Sequence, residues 1–165
     1  MPGRETILLV ESDANDAFLI QRAFNEAGAE NPLQVVSSGN EAVSYLAGEG
    51  KHSDRAAWPL PFLILTDFKT PDGDALFVLR WLAAHPEQRK KVIVIVLGSM
   101  SPDEDIDALY ELGAKSFLLK PLAYQDLVAM IRQVKEFWID TAISPEKGAA
   151  SPNKGRRPSP GAARP

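Results

Sequence analysis

Asp67 ends the apolar run Phe62-Leu63-Ile64-Leu65-Thr66, and Lys120-Pro121 closes a second run, Ser116-Phe117-Leu118-Leu119. Neither run carries a charge, which is the pattern of strands buried on both faces of a parallel sheet. In open sheets of that kind, chemistry gathers just past the carboxyl ends of the strands. A carboxylate and an ammonium at two such ends can therefore share one site. Other strand-end residues add to it: Glu11-Ser12-Asp13 follows the first apolar run and Gly98-Ser99 the fourth. An acidic cluster with one lysine and small or hydroxylic neighbours suits a phosphoryl group. Asp67 is the candidate nucleophile, since a carboxylate can form an acyl phosphate. Neighbouring acids suit Mg²⁺, a hard ion that prefers oxygen ligands and bridges to phosphate oxygens. Lys120 would meet the transferred group as a point charge.

The elements that must position these residues can be read from periodicity. Strand-like runs lie at Thr6–Val10, Leu33–Ser37, Phe62–Thr66, Val92–Leu97 and Lys115–Leu119. Helical spacing marks Asp13 to about Gly28, where Ala17, Ile20, Phe24 and Ala27 recur and a glycine ends the run. Further helices are expected over Asn40–Ala47, Asp74–Ala84, from Ser101-Pro102-Asp103-Glu104 to near Gly113, and over Tyr124–Trp138. In the fourth of these, serine caps, proline suits the first turn and the acids suit the amino-terminal dipole. Five strands alternating with five helices imply right-handed crossovers and a doubly wound α/β domain with a parallel sheet. Gly48–Pro61, rich in glycine, proline and charge, is expected to be an exposed connection.

The chain of 165 residues is long enough for one ordinary core without staples. It has no cysteine, so neither a disulfide framework nor a thiolate metal site is open to it. No apolar stretch approaches the roughly 18 residues of a membrane span. Met1-Pro2-Gly3-Arg4-Glu5 leads straight into a strand without a secretory signal, so a cytoplasmic protein is expected. The net charge of −4 hides an asymmetry. Residues 146–165 hold Lys147, Lys154, Arg156, Arg157 and Arg164 against Glu146, which leaves 13 basic and 21 acidic residues in 1–145. An acidic globule with a short basic tail does not have the footprint of a nucleic-acid-binding domain. Residues 1–143 are assigned to the domain and 144–165, without apolar periodicity, to a disordered tail.

Three stretches make a specific resemblance: Ile7-Leu8-Leu9-Val10-Glu11, Leu65-Thr66-Asp67-Phe68-Lys69-Thr70-Pro71, and Tyr110-Glu111-Leu112-Gly113-Ala114-Lys115-Ser116-Phe117-Leu118-Leu119-Lys120-Pro121. In order and spacing the chain resembles the response-regulator receiver domain of two-component signalling over roughly residues 5–140, which implies a doubly wound, flavodoxin-like fold: a five-stranded parallel sheet in the order 2-1-3-4-5 with five helices. The long connection before Asp67 and the ending Glu136-Phe137-Trp138-Ile139 are similar to single-domain regulators that partner phytochrome-type and other sensor histidine kinases. The resemblance implies that Asp67 is the phosphoacceptor, Lys120 the phosphoryl-contacting lysine, Phe117 the switch aromatic and Glu11 part of the acidic metal pocket. It also implies a metal ligand in the Lys69 backbone carbonyl, a cis bond before Pro121, a sensor kinase as partner and an unknown downstream protein, without nucleic acid or membrane.

Three positions depart from the family pattern. The acidic pair after the first strand reads Glu11-Ser12, so a neutral hydroxyl stands where the family's direct Mg²⁺ ligand would be, and Asp13 is the nearby acid able to swing in. Its other role is to cap the first helix. Gly98 falls where the family has the switch hydroxyl, with Ser99 next along as a substitute phosphoryl contact. The Asp-Gly after the acceptor loop reads Asp74-Ala75. These departures keep a rival open, a pseudo-receiver acting as a scaffold without phosphorylation. Rivals of another class fare worse. A dehalogenase-type phosphotransferase needs a second aspartate where Lys69 stands, and a flavodoxin needs a hydroxyl-rich loop where Glu11-Ser12-Asp13-Ala14-Asn15-Asp16 stands. The chain is therefore not expected to be an enzyme. His52 and His85 lack metal-ligand companions and are expected to be solvent-exposed; Trp81 and Trp138 are expected to pack, Trp138 also being a candidate interface residue, and a homodimer is a further candidate partner.

Overall fold

The computed structural model describes residues 5–99 and 103–141. Its five strands are β1 (Ile7–Val10), β2 (Leu33–Val36), β3 (Leu63–Asp67), β4 (Ile93–Gly98) and β5 (Ser116–Leu119). All are parallel, in the order β2-β1-β3-β4-β5. The helices are α1 (Ala14–Glu26), α2 (Gly39–Ala47), α3 (Ala75–Ala83), α4 (Pro86–Arg89), α5 (Asp103–Glu111) and α6 (Tyr124–Val134).

The uninterrupted apolar runs have a simple cause, because alternate side chains of the central strands enter opposite cores. Ile7, Leu9, Leu63, Leu65, Ile93, Ile95 and Leu97 face α1 and α6, meeting Ile20, Phe24, Leu127 and Ile131. Leu8, Val10, Ile64, Val94 and Val96 face the other side, meeting Leu46, Val78, Leu82 and Leu109. A charge at any of these positions would be buried without a partner, so the sheet's interior excludes it. The charged residues are thereby confined to the strand ends.

Side-chain caps set where three helices begin. Asp13 accepts the Asp16 N–H at 2.9 Å at the start of α1, Ser38 accepts the Glu41 N–H at 3.0 Å at α2, and Asp74 accepts the Phe77 N–H at 3.0 Å at α3. The expected cap of the fourth helix, Ser101-Pro102, lies outside the described residues, as do residues 142–165, including the expected tail.

The five expected helices are present, and the structure adds the single turn α4, begun by Pro86, and a 3-10 turn at Gly50–His52. Four expectations need correction: the form of the last helix, the exposure of His52, the exposure of His85 and a cis bond before Pro121. The last helix is α-helical only to Val134 and continues as a π-helix over Lys135–Thr141, which keeps Ile139 in the core and pairs Lys135 with Asp140 at 2.7 Å. Gly48–Pro61 is exposed over most of its length, as expected, but His52 within it is buried at 2 % exposure between Tyr45 and Trp58, with ring centroids 5.0 and 4.9 Å away. Arg55 ties this segment down by donating to the carbonyls of Tyr45, Leu46 and Trp58. His85 is half-buried, stacked on Trp81 at 3.8 Å with its ring Nδ1 2.7 Å from the Trp81 carbonyl. Finally, no described peptide bond is cis, so the bond before Pro121 is trans. No described helix is long and apolar enough to cross a membrane.

Candidate functional site

The parallel register decides which strand ends meet. Val10 is aligned with Thr66, Asp67 with Leu97, and Gly98 with Leu119, so Glu11, Asp67 and Lys120 emerge together at the carboxyl edge of the sheet. Backbone bonds fix their starting points. The Glu11 N–H donates to the Val36 carbonyl at 3.0 Å, the Phe68 N–H to Leu97 at 2.6 Å, and the Lys120 N–H to Gly98 at 2.8 Å. The end of β4 thus holds both the residue after Asp67 and Lys120 itself.

The side chains close the arrangement. Lys120 Nζ donates to Glu11 Oε1 at 2.9 Å and lies 3.3 Å from Asp67 Oδ1 and 3.6 Å from Asp16 Oδ2. Exposure grades outward, with the Glu11 side chain at 2 %, Asp67 at 17 %, Lys120 at 19 % and Asp16 at 41 %. Glu11 also accepts the Asp13 N–H at 3.1 Å.

One ammonium facing three carboxylates leaves a net charge of −2, and the protonation equilibria follow from that shortage. Burial pushes Glu11 above its ordinary value, and the Lys120 and Asp13 hydrogen bonds recover only part of the shift. Burial likewise raises Asp67 against the pull of Lys120. For Lys120, burial favours the neutral amine, but the Glu11 hydrogen bond and the charges of Asp67 and Glu11 outweigh it and keep the ammonium charged. Both carboxylates therefore hold a proton more readily than they would in water. Two carboxylates already converging on one cation fit a hard divalent ion, although among the described residues no three acidic or histidine side chains are arranged to enclose one.

The remaining expected residues divide. Asp13 is exposed and caps α1, so its carboxylate is turned to the Asp16 N–H and away from the hollow. Ser12 is exposed. Gly98 is buried as the last residue of β4, and Ser99 follows it as an exposed residue. Phe117 is half-buried, packs edge-on against Phe68 with centroids 6.1 Å apart, and receives the Tyr110 hydroxyl on its backbone N–H, which donates to that oxygen at 2.9 Å. Lys69 is exposed two residues past Asp67, with its ammonium 4.9 Å above the Phe68 ring.

Asp16 is the residue that sequence reasoning missed. A signal for it was present, since Asp16 lies four residues before Ile20, which is in the core, and so shares the inward face of α1. Asp13 is engaged at the cap, whereas Asp16, in the first turn, reaches Lys120.

Known receivers match the chain in sequence and fold. The family model for the response regulator receiver domain matches residues 7–132. The curated Response regulator Rcp1 of Synechocystis sp. is 30 % identical over 141 residues, covering 86 % of this chain and 93 % of Rcp1. Its solved Mn²⁺-bound form superposes with a TM-score of 0.75 at 29 % identity, covering 84 % of this chain and 96 % of that one. The response regulator RPA3017, from red light signalling of R. palustris, gives 0.78 at 30 % identity, again over 84 % and 96 %. The phosphorylated cyanobacterial phytochrome response regulator RcpA gives 0.76 at 30 % identity with the same coverage. The chain belongs to the response regulator receiver-domain family.

Proposed function

We propose that this receiver accepts a phosphoryl group on Asp67 from a sensor histidine kinase, of the phytochrome type or a similar one, and signals by protein–protein contact. The observation that carries the reading is Lys120 held 3.3 Å from Asp67 inside an acidic hollow at the carboxyl edge of the sheet. An Asp67 oxygen would attack the phosphorus of a phosphohistidine, and the bond from phosphorus to the donor imidazole would break as the new P–O bond forms. The ammonium of Lys120, already charged, is placed to meet a phosphoryl oxygen without proton transfer. The phosphorylated state of the similar RcpA supports the same chemistry here.

Glu11, Asp67 and the Lys69 backbone carbonyl would hold Mg²⁺, a reading supported by the existence of a Mn²⁺-bound form of the similar Rcp1. The ion would neutralise charge on the phosphoryl oxygens during transfer. With Ser12 in place of an acid, one ligating charge is missing, and weaker ion binding follows. Ser99, exposed beside the end of β4, would offer its hydroxyl to the phosphoryl group in place of the side chain that Gly98 lacks.

Phosphorylation would then shift a two-state equilibrium of the face made by α5, β5 and α6, with Phe117 as the reporting aromatic. Incubation with Mg²⁺ and a small acyl phosphate, followed by intact-mass measurement and peptide mapping, tests the reading. The expected result is one added phosphoryl group on Asp67, absent in Asp67→Asn. No adduct under conditions that label a standard receiver would leave the scaffold reading in its place.

A further inference from the structure

Lys120 has more carboxylate partners than one ammonium needs at rest, and the outermost of them comes from a helix and not from a strand end. Glu11 and Asp67, which hold Nζ most closely through Oε1 and Oδ1, are also the carboxylates that would hold a divalent ion in the reading proposed above. An ion on the same two carboxylates would repel the ammonium at short range. With the ion bound, the ammonium is therefore driven toward another acceptor. Asp16, with Oδ2 3.6 Å from Nζ on the solvent side, is the acceptor in place.

The charge count points the same way. A receiver with two acids after its first strand, an acceptor aspartate and a lysine carries −2 in its hollow. Here Ser12 removes one acid, and Glu11, Asp67 and Lys120 alone sum to −1. Asp16 restores the missing unit from the first turn of α1, a turn whose start is anchored by the Asp13 cap. Its field reaches the acceptor, since it contributes to raising Asp67. Ser12 cannot serve, being neutral and exposed, and the Asp13 carboxylate is engaged at the cap.

We propose that Asp16 is a positioning residue for Lys120: it holds the ammonium at the mouth of the hollow when an ion occupies Glu11 and Asp67, and so presents it to the incoming phosphoryl group. The proposal rests on the phosphoacceptor reading of Asp67. It places a carboxylate on α1 in the labelling step without making it an ion ligand.

The test measures labelling by a small acyl phosphate across a Mg²⁺ titration for the full chain, Asp16→Asn, Asp16→Glu and Asp67→Asn. Asp16→Asn is expected to label roughly tenfold more slowly at saturating Mg²⁺, the scale of a lost supporting contact. Its half-saturating Mg²⁺ concentration should stay close to that of the unaltered protein, and Asp16→Glu should recover most of the rate. Unchanged labelling of Asp16→Asn beside a labelled unaltered protein would overturn this proposal alone. A change confined to the Mg²⁺ half-saturation would also overturn it, since Asp16 would then act on the ion and not on Lys120. An unaltered protein that takes no phosphoryl group removes the phosphoacceptor reading and this proposal together.

Discussion

Lys120 and the carboxylates around it set up a conflict between stability and function that can be measured one residue at a time. Burial holds Asp67 and Glu11 above the ordinary carboxylate range, so the folded protein binds their protons more tightly than the unfolded chain does. Their contribution to stability is therefore full below about pH 4, the ordinary value for such groups, and is lost as pH rises through the raised values. At neutral pH the ionised hollow costs stability. Asp67→Asn should accordingly be more stable than the unaltered protein at pH 7, by on the order of 1 kcal/mol, with the gain fading toward pH 4 in urea titrations. A less stable Asp67→Asn at pH 7 would contradict this account. The lysine has the opposite sign. Held above its ordinary value, Lys120 contributes stability at every pH below about 10.4 and loses it above. Lys120→Met would strand the buried Glu11 carboxylate, and a loss of about 2–3 kcal/mol is expected at pH 7, shrinking in acid as Glu11 takes up a proton.

At the scale of elements, the turn after β3 is supported by a close approach between two loops. The Gly39 N–H donates to the Gly73 carbonyl and the Asn40 N–H to the Asp72 carbonyl, each at 2.9 Å, so the start of α2 is docked on the acceptor loop. A Cβ on Gly39 would collide with the Gly73 carbonyl oxygen and would lie 2.7 Å from its carbon. The obstacle is backbone, and the loop is already committed to a left-handed conformation at Asp72, φ 57°, and Gly73, φ 102°. Gly39→Ala should therefore cost about 2 kcal/mol in denaturant unfolding. A Gly39→Ala protein as stable as the unaltered one would show that the two loops part easily. Elements also explain why the cap at Asp13 was legible: it sits before an apolar helical run and accepts the N–H three residues on, as Asp74 does at α3.

For the molecule as a whole, the open question is how far an event at Asp67 reaches. Gly98 stands at the end of β4, where it has no side chain to follow a phosphoryl group, so the expected change on the α5-β5-α6 face is small. Gly98→Ser should enlarge the difference in amide hydrogen exchange on that face between the phosphorylated and unphosphorylated protein. Equal differences in both proteins would show that the switch does not depend on a hydroxyl there. Strand number, the parallel sheet and the meeting of Asp67 with Lys120 were readable in the chain, because a sheet covered on both faces demands charge-free runs and expels charge to their ends; the strand order came with the family resemblance. Glu11 was readable for the same reason, as the first charge after β1. Asp16, the burial of His52 and the π turn after α6 were decided only in three dimensions. Each depends on which neighbour the packing of another element brings close: Lys120 for Asp16, Tyr45 and Trp58 for His52, the core around Ile139 for the last turn. Local patterning sets the type and order of elements, whereas a side chain's partner is set by how those elements dock.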